Sequence, residues 1–136
     1  MTRSEARRNA LELLFEREFR CDESNEEIFA TSVENREIET DPYIKSVFFG
    51  VCENVDAIDE VINKNSKGWK TNRLSKVSRS ILRLCVYEML YEKGIPLRVS
   101  INEGIELAKL YEDEKARPFI NGVLNAVKNG LGEDAE

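Results

Sequence analysis

The sequence contains no histidine. Histidine is the commonest general base near neutral pH and the commonest metal ligand, so its absence excludes a Ser-His-Asp triad, a Cys-His dyad and a histidine-containing zinc site. The three cysteines, Cys21, Cys52 and Cys85, lack metal-ligand spacing, and an odd number does not fit a secreted disulfide scaffold. We therefore expect reduced thiols, with Cys52 and Cys85 inside apolar helical patterns, and no metal site.

Long apolar runs and glycine-rich phosphate loops are also absent. The apolar runs are only a few residues long, far short of a membrane span, and no segment is typical of a secretory signal. Neither a P-loop nor a GxGxxG segment occurs. The acidic run 112–114 is better interpreted as a solvated helix end than as a catalytic pair. We therefore expect a cytoplasmic protein with no membrane contact, no enzymatic activity and no cofactor.

Charge is present in quantity but is segregated along the chain. The formal net charge is -6, and residues 21–60 carry twelve acidic side chains against two basic ones. Residues 61–87 instead carry seven basic side chains and no acidic one. On a helix, Lys76, Arg79 and Arg83 would share one face. Two interpretations stay open: a solvated face that balances the acidic half, or a surface for nucleic acid or an acidic partner.

Helix-start signals recur along the whole chain, whereas no β-alternation or hairpin signal appears. The signals are Thr2 with Glu5, Ser24 with Glu27, Asp41 with Pro42, Ser75, Ser100 with Glu103, and Arg117 with Pro118. Apolar residues at three- and four-residue spacing from Ile44 to Ile62 predict one long helix. We therefore predict an all-α domain of about six or seven helices, followed by a frayed tail at residues 131–136.

The first predicted helix, from Arg3 to about Glu18, begins with several arginines. Arg3 and Arg7 are four residues apart and so are expected on one face, while Leu11 continues toward the core. Basic residues in a first turn oppose the helix dipole, at a cost of some tenths of a kcal/mol each. Together with the positive end of the dipole, they form a suitable site for phosphate. An ordinary charged terminus is the alternative.

Four linked segments carry a more specific signal. They are WKTNRLSKVSRSILRLCVYEML, IP, VSINEGIELAKLY and FINGVLNAV. In order and spacing they resemble the NusB family of transcription antitermination proteins, and the amino-terminal ARR segment extends the resemblance over most of the chain. The resemblance implies a compact NusB-like bundle of about seven helices. It further implies one RNA-binding domain over residues 1–130, in two packed subdomains at about 1–65 and 66–130.

The resemblance also implies a function and its partners. It predicts binding to boxA RNA of nascent transcripts, chiefly from ribosomal RNA operons, together with NusE, a small-subunit ribosomal protein. The complex would join elongating RNA polymerase with other Nus factors and suppress premature termination. Two alternatives stay open: a NusB-like fragment of a ribosomal RNA methyltransferase, and an adaptor or homodimer that binds no RNA. The oligomeric state and the order of binding are also open.

The same resemblance assigns site residues. The RNA contacts it implies are Arg3, Arg7, Arg8, Lys115 and Phe119. The protein-partner contacts it implies are Phe15, Lys76 and Ser78. Phe119 as a core aromatic is equally compatible with its position.

Several positions bear on packing or depart from the family pattern. Ser4, Glu5 and Ser78 differ from residues common in relatives, which bears on both binding surfaces. Gly104, inside a helix, predicts a close approach of helices. We also expect Asn121 and Gly122 to serve close helix packing.

Overall fold

The computed structural model describes residues 1–36 and 41–132, with the backbone alone at Arg36. Within these ranges the chain forms seven α-helices, one short 3-10 turn and no strand, which confirms the all-α prediction. The helices are α1 Arg3–Arg17, α2 Asn25–Arg36, α3 Pro42–Glu53, α4 Val55–Lys64, α5 Lys76–Tyr91, α6 Leu97–Tyr111 and α7 Ala116–Leu131; the 3-10 turn is Thr71–Arg73. Of the predicted tail, residues 133–136 lie outside the described residues. None of the described helices is both long and apolar enough to cross a membrane.

Four helices begin where short-range capping signals predict them. The Thr2 hydroxyl accepts the Glu5 N–H at 3.1 Å, and the Ser75 hydroxyl accepts the Ser78 N–H at 3.0 Å. The same arrangement occurs at the starts of α2 and α3, through Ser24 and Asp41. Each cap satisfies a backbone donor that has no partner inside its helix, so three or four residues of sequence suffice to place it.

The predicted capping box at Ser100 is wrong. Helix α6 begins earlier, at Leu97 after Pro96, and Ser100 lies one turn inside it, where it is fully buried. Its hydroxyl donates to Glu88 at 2.8 Å, and Glu103 lies 3.3 Å from the Arg7 guanidinium. The spacing of three residues places Ser100 and Glu103 on one helix face, and here that face meets a buried charge instead of capping a terminus.

The single long helix predicted from Ile44 to Ile62 is also wrong, because it is divided at Asn54. This residue leaves the helical conformation (φ -115°, ψ 19°), and its side-chain amide donates to the Gly50 carbonyl at 2.8 Å. An asparagine side chain that takes up a carbonyl of the last turn competes with helix continuation. The apolar period continues across the break because α3 and α4 both face the same core.

Helix α5 lies at the centre of the fold and packs against α1, α3, α4, α6 and α7. One continuous apolar core surrounds it, with Leu13, Phe48 and Leu124 among its fully buried side chains. Of the three thiols, Cys52 and Cys85 are buried as expected, whereas Cys21 is exposed. The core draws on both halves of the chain, and the subdomain division near residue 65 stays a prediction.

The two glycines singled out in the sequence differ in their surroundings. A Cβ atom on Gly104 would lie 2.7 Å from Leu124 Cδ1 and 2.9 Å from Cys85 Sγ, so α6 does approach α5 and α7 closely there. A Cβ atom on Gly122 would meet no heavy atom of the described residues within 4 Å. The expectation that Gly122 serves close helix packing is therefore wrong, because it faces open space.

Candidate nucleic-acid interface

Arg7 lies inside the helix bundle. Its side chain is only 3% exposed, and its Nε donates to Glu88 Oε2 at 2.7 Å. Its Nη1 lies 3.3 Å from Glu103 Oε1. Arg7 therefore does not share the exposed face of Arg3, although the four-residue spacing predicted that it would. The physical reason is the Glu88 carboxylate of α5, which is buried in the bundle and pairs with the Arg7 guanidinium there.

Glu88 joins four helices through its two carboxylate oxygens. It accepts from Arg7 of α1, from the Tyr43 hydroxyl of α3 and from the Ser100 hydroxyl of α6. Buried charges are stable only when they are paired and hydrogen-bonded, and here every neighbour is a donor. The network therefore sets the direction in which the first turns of α1 leave the bundle.

The local electrostatics preserve this arrangement. Burial disfavours the charged form of Arg7, but the hydrogen bond and charge of Glu88 outweigh it and raise the pKa of Arg7. Burial, reinforced by the charge of Glu88, raises the pKa of Tyr43 well above its usual range. The phenol therefore keeps its proton and remains a donor to Glu88.

Arg3 and Arg8, in the first two turns of α1, face solvent in different directions. The Arg3 guanidinium carbon lies 4.4 Å from the centroid of the Tyr43 ring, a cation–π contact that holds the exposed side chain. Arg8 lines an open cleft of about 330 Å³ beside Glu103 and Glu106. A separation of five residues turns the helix by about 140°, so the first two turns of α1 present Arg3 and Arg8 as separate cations and not as a row.

Two of the three cations of the basic face predicted on α5, Arg79 and Arg83, are ion-paired within the fold, whereas Lys76 is exposed. Arg79 donates to both carboxylate oxygens of Glu18, at 2.7 and 2.9 Å. Arg83 does the same with Asp59, at 2.9 and 2.7 Å, and also contacts Glu18 at 3.1 Å. Of the two interpretations left open by the sequence, balancing the acidic half of the chain is the one that these contacts support.

Lys115 and Phe119 lie where the turn after α6 leads into α7. They line a cleft of about 510 Å³, here called the serine cleft, whose lining includes Trp69, Arg73, Ser75 and Ser78. Phe119 is half-buried and packs against the core, yet it also reaches this cleft. The position of Phe119 is therefore compatible with both interpretations, and its contact with RNA stays a prediction.

The residues assigned to a protein partner are only partly brought together. Phe15 lines an apolar groove with Leu11, Val77 and Tyr111, and its ring lies 5.1 Å from the ring of Phe19. The Lys76 ammonium lies 5.4 Å from the centroid of the same Phe19 ring.

Ser78 lies apart from that pair. Two residues beyond Lys76, it is turned by about 200° around α5 and lies in the serine cleft. It is buried there, and its hydroxyl donates to Glu112. The proposed RNA and partner residues thus meet in one cleft, at Ser78 and Lys115.

Two exposed aromatic residues of these surfaces were not predicted as site residues. Phe19 is 63% exposed and bridges Phe15 and Lys76, but it lies two residues beyond α1, where the apolar period has ended. Trp69 is 55% exposed and lines the serine cleft together with Phe119. An aromatic residue inside a run of lysines and arginines was the available signal for Trp69.

Comparisons with known proteins agree over nearly the full length. A sequence model of the NusB family matches residues 4–129. The transcription antitermination protein NusB of Bacillus pumilus is 44% identical over 134 residues, covering 96% of this chain and 98% of that protein. A T. maritima NusB structure has a TM-score of 0.82 at 37% identity, covering 93% of this chain and 90% of that chain. A chain in the crystal structure of antitermination factors NusB and NusE with double-stranded RNA has a TM-score of 0.82 at 31% identity, covering 96% and 99% respectively.

Proposed function

Because this chain belongs to the NusB family of transcription antitermination proteins, we propose that it binds boxA RNA of nascent transcripts together with NusE. Family membership confirms the resemblance carried by the four sequence segments. The family is non-enzymatic, and the proposed role is to join elongating RNA polymerase with other Nus factors, chiefly on ribosomal RNA operons. The protein would act in the cytoplasm, where these transcripts are made.

One observation supports this proposal most strongly. A chain of the same fold, aligned over 96% of this protein, was solved with NusE and double-stranded RNA. A fold shared at 31% identity does not by itself establish a function, so the proposal also depends on suitable residues at the surface. The described surface offers such residues: exposed cations on α1 and a cleft with an aromatic side chain beside a lysine.

We assign Arg3, Arg8 and Lys115 to phosphate contacts and Phe119 to a base contact. These three cations are solvent-exposed, as a phosphate contact requires. Arg7 was assigned to RNA from the resemblance, and its burial instead supports a positioning role. Its hydrogen bond to Glu88 holds α1 in place, and this fixes the position of Arg3 at the surface.

For the protein partner we propose the surface formed by Phe15, Phe19 and Lys76. Two aromatic rings in edge contact beneath a lysine offer apolar area with a charged rim, which is typical of interface cores. Ser78 was assigned to this partner, and within the proposal it acts from the serine cleft by orienting Glu112.

Fluorescence anisotropy of labelled boxA RNA, titrated with and without NusE, tests the function. We expect tighter binding to boxA than to a scrambled RNA of equal length, and a strong dependence on salt. Each phosphate contact to single-stranded RNA contributes about 0.7 to the slope of log affinity against log salt. The variants Arg3→Ala and Arg8→Ala should each lower that slope by about this amount. Lys93→Ala, an exposed lysine in the turn after α5, is the matched control.

Two results would contradict the proposal. Equal affinity for boxA and scrambled RNA in the presence of NusE would exclude sequence-specific recognition. NusE binding without any RNA binding would favour the adaptor alternative.

A further inference from the structure

Trp69 is held in a defined position although its indole is exposed. The backbone around it turns tightly, with Lys67 at φ 49° and Gly68 at φ 93°. The Trp69 N–H donates to the Ser66 carbonyl at 3.1 Å, and the buried Ser66 hydroxyl donates to the Trp69 carbonyl. The backbone N–H and the backbone carbonyl of Trp69 are therefore both held by Ser66. A large exposed apolar side chain on a fixed backbone is a candidate contact surface.

Trp69 and Phe119 separate two clefts on one face of the molecule. On one side is the serine cleft, of about 510 Å³. On the other is a cleft of about 400 Å³, here called the glycine cleft, lined also by Lys67, Pro118 and Gly122. Both volumes lie in the range of sites that hold small planar groups. The two aromatic side chains thus stand between two spaces that a chain of bases could occupy in succession.

The charge around the two clefts favours a polyanion. Lys67 lines the glycine cleft, and Arg73 and Lys115 line the serine cleft; all three are exposed. The serine cleft also contains Glu112 and Asp113, but both already accept hydrogen bonds. Glu112 accepts from two serine hydroxyls, and Asp113 accepts the Ala116 N–H at 3.0 Å. Both carboxylates keep their negative charge and offset Arg73 and Lys115. The net positive charge therefore comes from Lys67 in the glycine cleft, whose described lining includes no acidic residue.

Gly122 provides an independent observation in the glycine cleft. It lies inside α7, where glycine is unfavourable relative to alanine, yet packing does not require it. Its missing side chain leaves the wall of the cleft open. A helix backbone exposed in this way allows a flat group to approach closely.

We propose that Trp69 and Phe119 are stacking platforms for two unpaired bases of single-stranded RNA. Lys67, Arg73 and Lys115 hold the adjoining phosphates. Stacking on aromatic side chains with flanking cations is the physical basis of single-strand binding, since every base has a π-face. This inference rests on the proposed RNA binding and extends it to Trp69 and to the glycine cleft.

The indole itself provides the test, because Trp69 is the sole tryptophan of the chain. Selective excitation of tryptophan in the full-length protein, titrated with single-stranded boxA RNA, should show emission quenched in parallel with RNA anisotropy. Acrylamide should then quench the indole less effectively in the complex. Trp69→Ala should weaken RNA binding by about 5- to 150-fold, the range for loss of one stacked base. Trp69→Phe should retain most of the affinity.

The control is Tyr91→Ala, which removes another exposed aromatic residue from the end of α5. It should leave RNA affinity unchanged. This inference would be overturned if the wild-type protein bound RNA without a change in indole emission and Trp69→Ala kept full RNA affinity. The proposed function would still stand in that case. The inference would also be overturned if Trp69→Ala weakened NusE binding and left RNA binding unchanged, because the indole would then contact the protein partner. A wild-type chain that binds no RNA with NusE present would remove both proposals.

Discussion

Removal of the Glu88 carboxylate tests whether the buried network holds the first helix in place. In Glu88→Ala, the carboxylate that the Arg7 guanidinium keeps among the described residues is Glu103, at 3.3 Å. The hydroxyls of Tyr43 and Ser100 lose their acceptor at the same time. Both Arg7 and Glu88 are at most 3% exposed, so water cannot replace the lost partner without opening the bundle.

The expected cost follows from these contacts. Breaking a buried ion pair on one side costs roughly 3–5 kcal/mol, and each buried hydroxyl left unsatisfied adds roughly 1–3 kcal/mol in isolation. These contributions are not additive, and we expect Glu88→Ala to lose about 4 kcal/mol of unfolding free energy. For a chain of this length that corresponds to a fall in Tm of about 10–15 °C. Glu88→Gln keeps the volume and one acceptor oxygen, so it should lose about half as much.

Urea unfolding followed by circular dichroism measures these values, and a double-mutant cycle isolates the pair. Arg7→Met combined with Glu88→Leu removes both charges together. The double variant should cost at least about 2 kcal/mol less than the sum of the single variants, because neither charge is left buried alone. Additive single costs, or a loss below about 1 kcal/mol in Glu88→Ala, would refute the coupled network.

RNA binding by the Arg7→Met variant, measured where it is folded, separates positioning from direct contact. A positioning residue should leave the salt slope of RNA binding unchanged. A slope reduced by about 0.7 would show instead that Arg7 contacts a phosphate.

Further predictions concern packing and thiols. Gly104→Ala should destabilise the protein by about 1–2 kcal/mol, because its Cβ overlaps core atoms and this outweighs the gain in helix propensity. Gly122→Ala, its matched counterpart in open space, should raise the free energy of unfolding by about 0.5–1 kcal/mol in thermal or urea unfolding. If both variants changed the free energy of unfolding in the same direction, the crowded position of Gly104 or the open position of Gly122 would be contradicted. Cys21 should react rapidly with a thiol reagent, while Cys85, whose pKa burial raises well above its usual value, should react only on unfolding. Equal reaction rates of the three thiols in the native protein would contradict the burial of Cys52 and Cys85. Urea-unfolded protein, in which all three thiols should react, is the control.

Most features that depend on neighbours in the chain were predictable, but the helix break at Asn54, which involves Gly50 four residues away, was missed. The caps at Thr2 and Ser75 involve partners three residues away, so the local sequence contains all the atoms required. The all-α fold followed from the same caps and from apolar periodicity, which each helix carries within itself. Even the close approach at Gly104 was visible as a glycine inside a helical pattern.

Contacts between residues that are distant in the sequence were not predictable from the sequence. Arg7 and Glu88 are 81 residues apart, so nothing near Arg7 distinguishes a buried ion pair from an exposed phosphate contact. The same holds for Arg79, which meets Glu18 across 61 residues and thereby leaves the predicted basic surface.

The site divides in the same way. The sequence by itself determined the helices, the family to which their motifs belong, and a supply of cations and aromatic residues. The tertiary structure alone decided which cations remain exposed and that Trp69 lies beside Phe119. The reason is physical: helix caps and apolar periods are short-range properties, whereas burial, ion pairing and the sharing of a cleft by two aromatic side chains depend on how the helices pack.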